Sequence, residues 1–381
     1  MNSQYFPLGV AEGHAFLGRK EEIRQLMYNI NQGRHTLLLS PRRYGKTSLA
    51  RHTIQNKYIF SEIDLFLAID EYAIEARFTS GVESIIQTTS DKKKKWFDLL
   101  LGFFKNLDQT WTIGFKGMQL ELKPNNHHDI PGNLLQLFNA LEFMLSKQKK
   151  KVVLFVDEFQ EISKINMGKA VEGAIRHFAQ AAKHVIFIFS GSSRHLLLDI
   201  FGNRSRPLYK LCDWITLSRL DRNLYQNYLN KVAQQTFGMP LTEEVFNEIM
   251  TLSECHPEAT YALCGQLWSV ASNKKILVKH DVQKAWEDYV AKHLKQTRQI
   301  LSANSSGQLK ILVLIAMGIT KGITGKDSQN KIGLTSPSIS KALQVLEAED
   351  LVEKDADGFY SIIDPVIKTT LLKFYSDYLR E

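Results

Sequence analysis

TLLLSPRRYGKTSLA, from Thr36 to Ala50, reads as a short apolar strand, a turn carrying Pro41 and Gly45, and a helix opening on Lys46-Thr47-Ser48. Such a turn points backbone N–H groups inward at an anion, and the helix behind it adds unpaired donors and its positive end. In that setting a lysine at position 46 neutralises β- and γ-phosphates and the Thr47 hydroxyl holds magnesium. The stretch departs from G-x-x-x-x-G-K-[ST] once, because Ser40 stands where the first glycine is usual. Serine is small enough for the turn. Ser40, Pro41, Arg42, Arg43, Tyr44, Gly45, Lys46, Thr47 and Ser48 therefore form the expected phosphate-binding loop.

A basic turn between a strand and a helix is the plainer reading of this stretch, and a distant acidic element weighs against it. Val152–Phe159, VVLFVDEF, places five apolar residues, as in a strand buried on both faces, ahead of two carboxylates at its C-terminal end. Ligands bind at that end of the strands in open α/β sheets. Asp157 is placed to hold the magnesium as partner of Thr47, and Glu158 to orient or deprotonate the attacking water. Without a cation or a basic group facing them, two buried acids would carry a heavy desolvation cost.

Around these two elements the chain alternates strands and helices. Ahead of the loop, Phe16-Leu17-Gly18-Arg19 leads into a helix with acids in its first turn, and Gly18 and Arg19 are candidates for the adenine side. Beyond it, Glu62–Asp70 reads as a strand, Thr79–Leu107 as mostly helix, Trp111–Leu122 as a hairpin and Asn133–Lys151 as a helix. Lys92–Lys95 suits a solvated helix turn better than a nucleic-acid contact, and the aromatic stripe beside it suits core. His184–Phe189 is a third buried strand ending in Ser190-Gly191-Ser192-Ser193. Two readings of these small hydroxyls, Ser190 first among them, stand: groups that reach the γ-phosphate or the attacking water and so sense intact ATP, or a helix N-cap ahead of Leu196–Ile200. Two also stand for Arg204 and Arg206, which precede the strand Trp214–Leu217: an arginine stabilising transferred-phosphate charge, in cis or across a subunit boundary, or a surface residue.

From Asp221 to Arg298 the pattern is continuously helical, broken by His256-Pro257, a turn that can reach nucleotide from a lid. Ser302–Gly307 has linker composition. The remainder gives helices near Leu309–Gly318 and Gly325–Ile332, a third over Ser336–Asp350, and two strands flanking Asp355–Gly358, the order of a winged helix-turn-helix.

The apolar fraction of 44% and charged fraction of 23% are ordinary for a soluble globular protein, and no apolar run approaches a membrane span. A cytoplasmic location without membrane partners is expected. The net charge of +8 invites a nucleic-acid reading, but residues 300–381 hold 9 Lys+Arg against 10 Asp+Glu, so the excess lies elsewhere. DNA contact through the winged helix and a protein-contact or autoinhibitory role remain equally open.

In these motifs and their order the chain resembles the archaeal-type ATPases, P-loop ATPases related to the signal-transduction ATPases with numerous domains (STAND) and to the AAA+ origin-recognition initiators. The resemblance rests on FLGRKEEI, SPRRYGKTSL, the strand ending VDEF, the Ser-Gly strand end, PLYKL and the His-Pro turn. It implies an α/β P-loop core with parallel strand order 5-1-4-3-2 over residues 1–217, with an insertion about 76–131, a helical lid over 218–299 and a winged helix over 300–381. It also implies ATP with Mg2+ and slow hydrolysis used as a switch; the partners expected beside ATP and ADP are DNA or a protein client and a nucleotide-dependent homo-oligomer. Carried over residue by residue, it gives Lys46 and Thr47 the P-loop roles, Asp157 and Glu158 the metal and catalytic roles, Ser190 to Ser192 the sensor region, and Gly18 and Arg19 the adenine side.

Overall fold

The computed structural model describes residues 4–89, 100–103, 111–116, 119–125, 128–270, 276–355 and 357–379. The chain divides into two compact units, one formed by Arg19–Ser40 with Lys46–Leu217 and the other by the residues up to Gly18, Pro41–Gly45 and those from Ser218 onward.

The first unit is α/β. Its sheet consists of β1 (Thr36–Leu39), β2 (Ile59–Asp64), β3 (Val152–Asp157), β4 (Val185–Ser190) and β5 (Asp213–Thr216). All neighbours are parallel and run β2-β3-β4-β1-β5, the expected order read from the other edge. Burial follows position in the sheet: β1 and β4 are buried at every residue, and β3 is buried from Val152 to Val156. That explains their unbroken apolar runs. Edge strand β2 is only alternately buried. It also ends sooner than the expected Glu62–Asp70, because β3, its only partner among the described residues, stops where Asp64 faces Asp157, and the Asp64 side chain then accepts from the Phe66 N–H.

The region about 76–131 is built into this core. Helix Glu71–Thr89 buries Phe78, Val82, Ile85 and Ile86 with Leu100, Trp111 and Leu122, and an antiparallel hairpin pairs Trp111–Lys116 with Gln119–Pro124. Leu100 and Phe103 pack as core, as the stripe suggested. Lys92–Lys95 lies outside the described residues.

The second unit is mainly helical and holds two hydrophobic clusters. Helices Arg222–Phe237, Glu243–Ser253, Pro257–Val270 and Lys279–Ser302 enclose the first around Tyr225, Leu263 and Trp286, with Phe6 and Ala15 of the leader packed in. The second joins Ser306–Ala316, Lys326–Ile332, Ser336–Ala348, the wing strands Val352–Lys354 and Tyr360–Ile362, and Pro365–Phe374. This is the expected winged helix. Ser302–Gly307 is not an extended linker: Ser305 caps Ser306–Ala316 in a reciprocal capping box with Gln308, a polar run recruited for its hydroxyls.

Candidate nucleotide site

In the α/β unit the end of β1 and the first turn of helix Lys46–Ile54 meet the C-terminal ends of β3 and β4. Lys46 is buried, and its Nζ donates to the Ser40 carbonyl at 2.8 Å. The Thr47 Oγ1 donates to Asp157 Oδ2 at 2.7 Å across 110 residues of sequence, and Ser190 Oγ donates to Asp157 Oδ1. The Glu158 backbone N–H also donates to Oδ1, at 3.0 Å, the third donor to this carboxylate. One carboxylate is thus oriented by two hydroxyls and an amide N–H, and the carboxylate and Thr47 hydroxyl oxygens are of the kind that serve a hard divalent cation together with phosphate oxygens. Thr47 and Asp157 fit magnesium on that ground. Among the described residues no cluster of three or more His, Cys, Asp or Glu side chains offers a rival metal site.

Glu158 leaves the strand with φ 52°, a left-handed conformation that turns its side chain away from the line of β3. Its Oε2 accepts from Ser192 Oγ at 2.7 Å, from Ser192 N–H at 3.3 Å and from Gln160 Nε2. Gln160 is itself buried, and its Oε1 has no hydrogen-bond partner among the described residues. Gly191 makes room for it, since a Cβ there would fall 1.9 Å from that oxygen. Gln160 and Ser192 escaped the sequence reading as partners of Glu158. The signal was the glycine in Ser190-Gly191-Ser192.

Ser190 therefore joins the acidic pair. Ser193 takes the N-cap position of helix Arg194–Gly202, with no side-chain cap bond among the described residues. Arg206 goes elsewhere: it lies against Glu172, which is fully buried, and 3.4 Å from Asp199. Burial pushes Glu172 up to about 7, against the pull of Arg206. Arg204 is exposed. Arg19 adopts φ 59° and pairs with Glu22 at 3.0 Å, opening the helix Lys20–Gln32.

Residues 41–45 pack within the helical unit. Arg42 is exposed; Arg43 takes φ 68° and pairs with Glu258 at 3.0 Å; Gly45 takes φ 88°. Tyr44 is 1% exposed, and its hydroxyl donates to Glu353 at 3.1 Å. Its ring meets His256 edge-on at 5.0 Å, and burial pushes its hydroxyl up to about 12. His256 caps the helix begun by Pro257, its Nδ1 accepting from the Ala259 N–H. Burial, then the charges of Arg219 and Arg43, press His256 down to about 3, so it stays neutral. Gly18, with φ +66°, lies under Leu224, where a Cβ would come within 2.5 Å of Cδ1.

A family model describing an ATPase domain found predominantly in Archaea matches residues 16–263. No curated protein matches the sequence. Among solved structures, the Walker-type ATPase PABY2304 of Pyrococcus abyssi aligns with a TM-score of 0.68 at 18% identity, covering 97% of this chain and 99% of that one. The ORC2 protein of Aeropyrum pernix, solved as ADPNP–ADP complexes, aligns with a TM-score of 0.55 at 14% identity, over 99% and 97% of the two chains. At such identities the likeness concerns the fold.

Proposed function

Since the chain belongs to the family of P-loop ATPase domains found predominantly in Archaea, we propose that it is a slow, magnesium-dependent ATP-hydrolysing switch whose nucleotide state sets the position of its winged helix. The observation that carries this reading is the 2.7 Å contact between Thr47 and Asp157. Two residues so far apart in sequence are brought together at the acidic end of β3, beside a buried lysine, which is the constellation that phosphoryl transfer needs.

In this reading Lys46 leaves the Ser40 carbonyl for the β- and γ-phosphate oxygens, and Thr47 and Asp157 hold magnesium. The ion, when bound, neutralises charge on those oxygens. Glu158 orients the attacking water and takes its proton, once released from Ser192 and Gln160; Ser190 keeps Asp157 aligned. The three-part division into core (1–217), lid (218–299) and winged helix (300–381) is supported by the two separate hydrophobic clusters of the helical unit.

Calorimetric ATP titration and phosphate-release assays test this directly. Lys46→Ala should abolish nucleotide binding, whereas Glu158→Gln should keep it and lose turnover by at least about 100-fold. Turnover at the wild-type rate in Glu158→Gln would remove the assigned base.

A second reading, an ATP-controlled DNA-binding protein, draws on the exposed Ser338, Ser340, Lys341 and Gln344 of helix Ser336–Ala348. It requires DNA affinity that falls steeply with salt and weakens in Lys341→Glu. Gel shifts lacking both effects exclude it.

A further inference from the structure

Arg43 holds a left-handed backbone conformation without being glycine. Such a residue is strained and persists only when its surroundings over-determine it. The surroundings here come from two parts of the helical unit. Glu258, in the helix Pro257–Val270, grips the Arg43 guanidinium. The next residue, Tyr44, sends its hydroxyl to Glu353 on the first wing strand.

Glu353 is no isolated acceptor. Arg219 Nε lies 3.8 Å from it, and the same guanidinium donates to the carbonyls of Ile362 at 2.8 Å and Ile363 at 3.1 Å, at the end of the second wing strand. Its Nη1 also donates to Glu254 Oε2 at 2.7 Å, and Glu254 in turn pairs with Lys368 of the last helix. Although burial opposes it, the hydrogen bonds from Lys368 and Arg219 hold Glu254 below the usual carboxylate range. Both strands of the wing and the helix after it are thereby tied to a tyrosine two residues before Lys46.

We infer that Tyr44 is a positioning residue that couples the wing to the phosphate-binding loop: its bond to Glu353 holds the strained loop backbone in shape, so nucleotide affinity depends on the wing's being docked. The inference rests on the ATP-site reading above. It adds to it a specific route, through residues that touch no phosphate.

A coupling of this kind is reciprocal: if the wing alters nucleotide affinity, nucleotide must alter the wing. ATP affinity is therefore measured by calorimetry for wild type, Tyr44→Phe, Glu353→Ala and the double variant. In parallel, hydrogen exchange at residues 352–362 is followed with and without ATP. Each single variant should bind ATP about 5- to 10-fold more weakly, with the double variant no weaker than the weaker single one. ATP should change exchange at the wing in wild type and leave it unchanged in Tyr44→Phe. Glu353→Ala is the second handle should Tyr44→Phe disturb the loop on its own. Wild type that binds ATP while Glu353→Ala binds equally well overturns the inference alone; wild type that binds no nucleotide overturns the underlying reading and the inference together.

Discussion

Replacing Arg206 with methionine separates two roles that an arginine in this position can have. In the structure it is paired with Glu172, whose carboxyl is wholly buried and retains one oxygen without a hydrogen-bond partner among the described residues. Because burial already raises that carboxyl from 4.5 to about 7, the group contributes stability below pH 4.5 that is lost as pH rises through about 7. At about pH 8, neutralising an unpaired Glu172 would cost roughly 5 kcal/mol, of which the paired group already carries roughly 3. The expected loss in Arg206→Met is the difference, one pH unit's worth or roughly 1–2 kcal/mol, lower than the 3–5 kcal/mol typical of a broken buried pair because the carboxyl can take a proton. At about pH 5 the cost of protonation falls below roughly 1 kcal/mol and the variant should match wild type. Urea unfolding followed by circular dichroism at both pH values reads this, with ATP turnover measured alongside. Unchanged stability at pH 8 together with turnover lost by more than about 100-fold would refute the reasoning and make Arg206 a phosphate-facing arm.

Asp157→Asn keeps an acceptor for Thr47 and Ser190 but loses the charge; the magnesium concentration for half-maximal turnover should rise more than about 10-fold, read by metal titration. His256→Asn retains a cap for the Ala259 N–H. Wild type should lose stability as pH falls from 6.5 towards about 3, by up to roughly 5 kcal/mol, because the unfolded histidine takes a proton that the folded one refuses. The variant's acid limb should be flatter in pH-dependent urea melts. Gly18→Ala meets both a left-handed φ and the Leu224 side chain, so thermal unfolding should show a loss of about 2–3 kcal/mol.

The central strands and the meeting of Thr47 with Asp157 were legible because each rests on a local signal, whereas the order of the strands was an implication of the family resemblance. Apolar runs of β3 and β4 mark strands buried on both faces, and Gly45-Lys46-Thr47 marks the loop. What the sequence withheld were tertiary choices among chemically equivalent side chains. Arg206 and Arg219 are both arginines near strand ends, yet one is spent on Glu172 and the other on the wing carbonyls. Tyr44 sits inside the motif as an unspecified position, and its partner Glu353 lies 309 residues away. Likewise the polar run Ser302–Gly307 has the composition of a tether, but the spacing of Ser305 and Gln308 makes it a helix start.

The left-handed turn at Glu158 carries an evolutionary implication. Glycine would adopt that geometry without the penalty, on the order of 1–2 kcal/mol, that a side chain incurs there. Selection for robustness alone would therefore erode the acid. Its persistence would mark a place where chemistry is retained at the expense of the fold, and directed evolution for heat tolerance without an activity screen should drift towards glycine and yield a sturdier, inert protein.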